Sequence, residues 1–484
     1  MLHDLIEERF KKLEAIKKSG LNPYPVKTKK RVSIGEVRKK FVALARRRVR
    51  VAVSGRIVSF RDQGGVLFAD LKDENSQIQL VFKKDILKNF NFIKSTLDRG
   101  DFYWALGIPF KTKKGEESLE VKSSMLLSKG LHPLPSDHFG LEDIELRLRK
   151  RYLDLLLNPE AKKIFYQKSV FWDTFRDEMK NSGFLEVETP VLESIPGGAE
   201  AEPFKTHHNA LDADFYLRIS LELPLKKLLV GGFEKVFEIG RVFRNEGIDR
   251  EHLQDYTQLE FYWAYSDYEE LMKFIEKLYK TVIKKTVGSL TTTYQGQKIN
   301  WAKKWPQVDY VKEFEKANHL NPTSASREEL FQKAIALDLK PDRNFGKGRL
   351  IDLIYKKTIR PKFIQPCFLI NPPVEVEPLA KRHDKNPAVV ERFQMMAAGT
   401  ELGKGFSELN NPIDQRKRFE EQMKLRAAGD TEAQQLDEDF LEALEYGMPP
   451  ASGFGVSERL FAVILDKPVR ETVIFPLMRA PKTK

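Results

Sequence analysis

The sequence predicts an all-β barrel followed by a larger α+β body, on three observations. Residues 50–127 read as short alternating strands broken by turns, with one helical piece among them. From about residue 145 the pattern becomes mixed, with helical periodicity flanking strand-like runs. The charge is divided as well: residues 1–130 hold 29 Lys and Arg against 15 Asp and Glu, and the rest of the chain holds 53 against 55. The net charge of +12 therefore sits in the first quarter of the chain. That suggests a polyanion-binding module attached to a near-neutral body; charge for solubility alone is the plainer reading.

At 484 residues, 41% hydrophobic and 31% charged, the chain has room for two or three globular domains. No apolar run approaches the length of a transmembrane helix. The opening "MLHDLIEERFKK" has mixed charge and lacks the apolar core of a signal peptide. Cys367 is the only cysteine, which excludes an intrachain disulfide and a zinc site built on several cysteines. A cytoplasmic setting is expected.

Residues 4–18 place Leu5, Ile6, Phe10, Leu13 and Ile16 near helical spacing, and "SGLNPYP" ends that helix. A basic stretch ending "ARRRVR" leads into the strands "RVAVSGRIVSF", "VLFADLKD" and "QIQLVF". A helical piece near 85–97 follows, then "DFYWALGIPF" and "SLEVKSSMLL" around the turn "KTKKGE". Five strands with a helix after the third is the pattern of an OB-fold, a common binder of oligonucleotides. Phe60, Phe68, Phe82 and Arg61 could stack on unpaired bases, although most such aromatics are expected in the barrel core. "GLHPLPSDHFG" reads as a linker. The expected division is a helical and basic segment over 1–48, the barrel over 49–130, a linker over 131–145 and the α+β domain over 146–484. Helices are expected at 145–182 and 265–286.

One stretch of that domain, "RVFRNEGIDREHLQDYTQLEFYWAY" at 241–265, is dense in charge where core strands are expected. Alternation puts Arg244 and Glu246 on one face of a strand, and Tyr256, Gln258, Glu260 and Tyr262 on one face of its return partner. Buried charges are costly unless paired or used. A nucleotide-and-zwitterion site would use all of them, with arginine for phosphate and carboxylate for ammonium. A salt-bridged hairpin would need only the charges, and this stretch leaves both readings open.

Longer motifs decide between them. "FRNEG" resembles motif 2 of the class II aminoacyl-tRNA synthetases, "NSGFLEVETPVL" at 181–192 resembles motif 1, and "ASGFGVSERLFAVIL" at 451–465 resembles motif 3. "IPGGAEAEPFKTHHNALDADFYLRI", "VGGFEKVFEIGRVFRNEG", "PLAKRH", "FSELNNPIDQRKRFEEQ" and "LDEDFLEALEYGMPP" are similar to the lysyl-tRNA synthetase family of subclass IIb. The resemblance runs from about residue 5 to 479.

It implies an anticodon-binding OB-fold barrel followed by a class II catalytic domain on an antiparallel sheet flanked by helices. The implied activity forms an adenylate from L-lysine and ATP with Mg2+, then transfers lysine to tRNA(Lys). A homodimer is implied, with motif 1 and Pro190 at its interface, and neither a membrane nor DNA is an expected partner. Carried over by position, Arg244 and Arg459 are the catalytic arginines. Arg244, Glu246, His252, Tyr256, Glu401 and Arg459 bind ATP, with Glu401 the metal ligand. Gly198, Glu222, Arg244, Glu260, Tyr262, Phe406 and Glu408 bind lysine, and Arg61, Phe68 and Gln79 contact the anticodon.

Four departures from the family pattern stand out. Lys404 replaces an Asn four residues before Glu408, and near the substrate ammonium it would cost about 4 kcal/mol at 4 Å and an effective dielectric near 20. It is therefore expected to face carboxylate or phosphate, or to pair with a pocket acid. Gln394 replaces a usual acidic magnesium ligand seven residues before Glu401. Glu251 takes the place of a motif 2 arginine, with Arg250 adjacent. Motif 3 carries Val456, Ser457 and Glu458 in place of its usual residues. The alternatives are another subclass IIb synthetase, for aspartate or asparagine, a synthetase-like paralogue with a changed substrate, and a nucleic-acid-binding protein with an inactive synthetase domain.

Overall fold

The computed structural model describes residues 2–135, 143–247, 253–430 and 433–480. The chain divides into two compact units, Met1–Glu142 and Asp143–Lys484.

In the first unit, α1 (Leu2–Lys18) buries Leu13 and Ile16. The basic stretch that follows contains two short helices, α2 (Ile34–Lys39) and α3 (Phe41–Arg46). A capping box starts the first of them: Ser33 accepts from the Glu36 amide, and Glu36 reaches back to the Ser33 amide. Strands β1 (Val51–Asp62), β2 (Val66–Lys72), β3 (Gln77–Lys83), β4 (Phe102–Lys111) and β5 (Glu117–Ser128) close a barrel in the order β1-β2-β3-β5-β4. The helix α4 (Phe90–Thr96) follows the third strand, which is the OB-fold arrangement. Val53, Ile57, Leu71, Leu80 and Phe82 fill the interior.

The second unit opens with α5 (Ile144–Arg149), α6 (Arg151–Leu157) and α7 (Pro159–Asn181), then β6 (Leu185–Glu186). The expected helix over 145–182 is thus three helices. It breaks at Lys150 and again at Asn158, which caps the third helix by accepting from Glu160 N, with Pro159 opening its first turn. A side sheet of β7 (Leu192–Glu193), β8 (Lys205–His208) and β9 (Ala213–Leu217) follows. Next come α8 (Glu222–Val230), the hairpin β10 (Lys235–Phe243) and β11 (Asp255–Ala264), and α9 (Tyr268–Val287). Asp267 caps α9 by accepting from Glu269 N and Glu270 N, and Gly288 ends it at φ 76°.

A small hairpin, β12 (Thr291–Tyr294) and β13 (Gln297–Asn300), precedes β14 (Gln307–Asp309). Helices α10 (Tyr310–Asn318), α11 (Arg327–Ala336) and α12 (Lys347–Thr358) are inserted before β15 (Cys367–Ile370). The hairpin β16 (Arg382–His383) and β17 (Asn386–Val390) leads to β18 (Arg392–Ala397) and β19 (Thr400–Ser407). Then come α13 (Pro412–Ala427), α14 (Glu438–Glu445), β20 (Ala451–Ser457) and α15 (Arg459–Ile464).

Eight strands form one sheet in the order β14-β15-β18-β19-β20-β11-β10-β6. Only the outermost pair at each end is parallel. Because side chains alternate along a strand, this sheet has two unlike faces. Phe237, Leu259, Phe261, Phe393, Met395, Phe454 and Val456 point into a core with Phe171, Phe175 and Met179 of α7 and Leu271, Ile275 and Tyr279 of α9. Each such fully buried side chain contributes on the order of 2–3 kcal/mol. The residues between them carry the polar and charged groups to the other face, where the candidate site lies.

Candidate active site

A cavity of about 640 Å³ opens on that polar face. Its lining includes Gly198, Glu222, Arg244, Glu246, Tyr256, Glu260, Tyr262, Glu401, Phe406 and Arg459. Ten of the residues singled out by motif resemblance thus meet at one cavity, from segments more than 250 residues apart in the chain. Glu408 lies just behind the lining and is 1% exposed. His252, Glu251 and Arg250 lie outside the described residues.

One expectation needs correcting. Strand β10 ends at Phe243, so Arg244 and Glu246 are not strand residues with a shared face. They sit just past the strand: the Arg244 amide still bonds to Gln254 O (2.8 Å) as the last rung of the hairpin ladder, and the chain then leaves the sheet, with Asn245 N turning to Glu202 O (2.8 Å) and Glu246 N to Arg244 O (2.8 Å). Both side chains still reach the cavity. The Arg244 guanidinium stands 5.6 Å from the centre of the Tyr256 ring, within cation–π range. On β11 the alternation holds, and Tyr256, Gln258, Glu260 and Tyr262 all line the cavity.

Glu260 is a hub. Its Oε1 accepts from Ser220 Oγ (2.7 Å), Leu221 N (2.9 Å) and Gln258 Nε2 (2.8 Å), and its Oε2 accepts from Tyr262 OH (3.1 Å). This carboxylate is buried and spent on the protein, and it fixes the Tyr262 ring. Gly198 is held beside it at φ +81°, where a Cβ would stand 2.8 Å from Glu222 Cβ and 3.1 Å from Ser220 Cβ. Only glycine fits that conformation and that approach.

At one end of the cavity the helix α8 supplies an ion cluster. Lys226 Nζ lies 2.5 Å from Glu222 Oε1 and also pairs with Glu408 Oε2. Its ammonium stands 5.3 Å from the Phe406 ring centre and 5.9 Å from that of Tyr262. Lys226 is 0% exposed. Burial works to lower its pKa, but Glu222 and Glu408 outweigh burial and hold it above the ordinary value. Burial pushes the Glu222 carboxyl up to about 7 against the pull of Lys226, and it raises Glu408 well above the carboxylate range. With both acids ionised, two carboxylates and one ammonium leave the cluster one cation short of neutrality, a place that the raised carboxyls fill with a proton until another cation takes it.

Lys404 pairs with neither acid of that cluster, although its ammonium stands 5.9 Å from the centre of the same Phe406 ring and pulls on Glu222 from there. Its Nζ lies 2.8 Å from Glu377 Oε2, and Arg392 Nε stands 3.5 Å from the same oxygen. Burial tends to raise the Glu377 carboxyl, yet Lys404 and Arg392 hold it below its ordinary value. Gln394 Nε2 donates to Glu401 Oε2, while the buried Gln394 Oε1 has no hydrogen-bond partner. Magnesium is usually held by one or two carboxylates together with substrate phosphates. One carboxylate and one orphaned amide oxygen fit an ion brought in by a nucleotide. They do not fit a second ion held by the protein, and among the described residues no three His, Cys, Asp or Glu side chains converge on a metal position.

Arg459 begins α15 at the cavity wall, and its buried Nε has no hydrogen-bond partner. The preceding Glu458 explains one motif 3 departure. It is buried, accepts from Thr257 N (3.1 Å) and pairs with Lys168 Nζ of α7 (2.7 Å), so it anchors the turn that presents Arg459.

On the barrel, Arg61 and Phe68 are direct cross-strand partners, and Gln79 pairs with Asp70 on the next strand over. All three share the outer face. Arg61 is exposed, Phe68 half-buried, and Gln79 buried, accepting from Ser118 Oγ at 3.0 Å. Phe82 is core, as most of the aromatics were expected to be, while Phe60 is 38% exposed.

Lys226, Glu377 and Arg392 were not among the expected site residues. For Lys226 a signal existed: it stands four residues after Glu222, the spacing at which Glu and Lys meet on a helix. Glu377 and Arg392 reach Lys404 from distant segments and carry no local signature.

Two family models match this chain. Residues 143–479 match the tRNA synthetases class II (D, K and N), and residues 51–127 match the OB-fold nucleic acid binding domain. Among curated relatives, the lysine–tRNA ligase of Moorella thermoacetica is 43% identical over 484 residues, covering 99% of this chain and 98% of that one. The lysine–tRNA ligase of a Roseiflexus species is 43% identical over 99% of both chains. That of Carboxydothermus hydrogenoformans is 42% identical over 99% and 98% respectively.

Proposed function

The chain belongs to the class II tRNA synthetases, and within them to the lysine–tRNA ligases, and from that premise we propose how its cavity works. The chain activates L-lysine with ATP and then transfers lysine to the 3′ end of tRNA(Lys). In the first step a lysine carboxylate oxygen bonds to the α-phosphorus of ATP and the bond to the β-phosphate oxygen breaks, releasing pyrophosphate. In the second, the terminal ribose hydroxyl of the tRNA attacks the lysyl carbonyl and AMP leaves.

The nucleophile belongs to the substrate, so the protein's part is positioning and charge. Arg244 bridges the α-phosphate and the lysine carboxylate. Tyr256 stacks on adenine, Glu246 reads its amino group and His252 contributes to the nucleotide site. Arg459 covers the other face of adenine and the γ-phosphate. Gly198, Glu260 and Phe406 shape the lysine site, and Glu222, Tyr262 and Glu408 take the side-chain ammonium. Glu401 and Gln394 Oε1 would hold magnesium that arrives with ATP, where it would neutralise phosphate oxygens.

The observation that carries this reading is the cluster of Glu222, Glu408 and Lys226 at the end of the cavity. A buried pair of acids with a single built-in ammonium favours a second cation, which lysine brings. It disfavours aspartate, whose side chain adds negative charge, and gives asparagine no charge to offer.

Arg61, Phe68 and Gln79 are the anticodon contacts in this reading, supported by their shared outer face on the barrel. A cytoplasmic homodimer is also part of it. Leu185, Val191 and Leu192 are exposed on either side of Pro190, apolar surface of the kind a partner covers. Among the described residues no helix is long and apolar enough to cross a membrane.

The test is ATP–pyrophosphate exchange with each of the twenty amino acids in turn, followed by charging of tRNA(Lys). Lysine alone should drive exchange. Exchange driven by aspartate or asparagine, or by none, would sink the reading.

A further inference from the structure

Four strands carry a row of cross-strand neighbours over the polar face: Gln394 on β18, Lys404 on β19, Gly455 on β20 and Glu260 on β11. Neighbouring strands lie about 4.8 Å apart, so the Lys404 backbone is one strand from Gln394, shares β19 with Glu401, and lies on the way to the substrate residues of β11. Lys404 lines the cavity, and its side chain is 36% exposed there. Two strand positions before Gln394, on the same face, Arg392 is 5% exposed and also lines the cavity. Neither its Nε nor its Nη1 has a hydrogen-bond partner. A buried guanidinium with unspent donors calls for an acceptor. Glu377 is shared between Arg392 and Lys404, so that trio retains one positive charge.

We infer that Lys404 and Arg392, oriented by Glu377, form a fixed cationic subsite for the phosphates of ATP, standing where a second divalent ion would otherwise be held. This rests on the reading of the cavity as an adenylate site. It accounts for two departures together: a neutral amide in place of an acid and a lysine in place of an amide add two positive charges, the charge of one divalent ion. Both changes fall on directly paired residues. The single carboxylate Glu401 then serves only the ion that travels with the nucleotide. Lys404 Nζ donates to a phosphate oxygen while its ion pair with Glu377 holds the side chain in place.

The test is equilibrium binding of ATP to the full-length protein, with excess magnesium and with EDTA, together with a manganese count by electron paramagnetic resonance. The wild type should bind ATP in EDTA within about tenfold of its magnesium value. Lys404→Asn should lose about tenfold or more of the EDTA affinity, the worth of a charge-assisted hydrogen bond, with lysine affinity nearly unchanged. Lys404→Arg should restore it. The double variant Gln394→Glu, Lys404→Asn should bind ATP tightly only with metal and hold one more manganese ion per site than the wild type. Equal EDTA affinity of wild type and Lys404→Asn would overturn the inference, as would a wild-type site that already holds the additional manganese ion. The manganese count needs no variant, so a variant that fails to fold leaves a decisive measurement. Amino-acid-dependent exchange, run separately, reports on the proposed substrate, so the two readings fail independently.

Discussion

The ammonium of Lys226 and the carboxylate of Glu408 form an ion pair with both side chains wholly out of solvent. Lys226 lies on α8 and Glu408 just beyond β19, and the two are joined across the cavity wall to Glu222. The proposed lysine pocket therefore contains a lysine of its own.

Lys226→Met should be among the most damaging single changes in this unit. It leaves two buried carboxylates facing each other, and breaking a buried pair from one side costs about 3–5 kcal/mol. Urea denaturation reads that loss, and adding lysine should recover part of it. A change under about 1 kcal/mol would mean that the acids find other partners.

The pH dependence has two opposite signs across one window. Burial raises Glu222 to about 7, against an ordinary value of 4.5. A raised acid favours the folded apoprotein below its unfolded pKa, and that contribution is lost as pH rises toward 7. Lysine binding wants the ionised form, so KM for lysine should rise as pH falls from about 8 to about 6. The stabilisation of the fold by lysine should correspondingly be larger at the alkaline end. A lysine KM flat through this window would show that Glu222 stays ionised.

Gly198→Ala tests the wall beside the pocket. The new methyl would meet Glu222 Cβ and Ser220 Cβ at φ +81°, a strain of about 1–2 kcal/mol. KM for lysine should rise severalfold more than KM for ATP, because the displaced group is Glu222, the acid proposed to take the lysine ammonium. Equal effects on both would place the strain elsewhere.

Phe68→Ala should separate the two units. Loss of one stacking ring costs about 1–3 kcal/mol of nucleic-acid binding, so KM for tRNA(Lys) in charging should rise about tenfold or more. ATP–pyrophosphate exchange without tRNA should be unchanged. A fall in exchange would mean that Phe68 supports the fold of the chain and not the anticodon.

The chain's architecture and the position of its site were readable because their signals are local. Strand alternation, turn residues and the three motifs each span a few residues, and backbone chemistry acts over that range. Even there the reach was limited: alternation carried Arg244 and Glu246 onto a strand that stops at Phe243, since the chain turns away where Asn245 N bonds to Glu202 O, a tertiary contact.

What the sequence determined alone was the barrel, the α+β body and the set of residues that meet at the cavity. Which charge neutralises which was decided only by the fold. Lys404 could have paired with Glu222 or Glu408 on sequence grounds, but its ion pair is with Glu377, and it is Lys226 that takes Glu222 and Glu408. The reason is physical: a buried charge must find its partner within a few ångströms, and nothing in the spacing of residues 182 apart states that they will be neighbours.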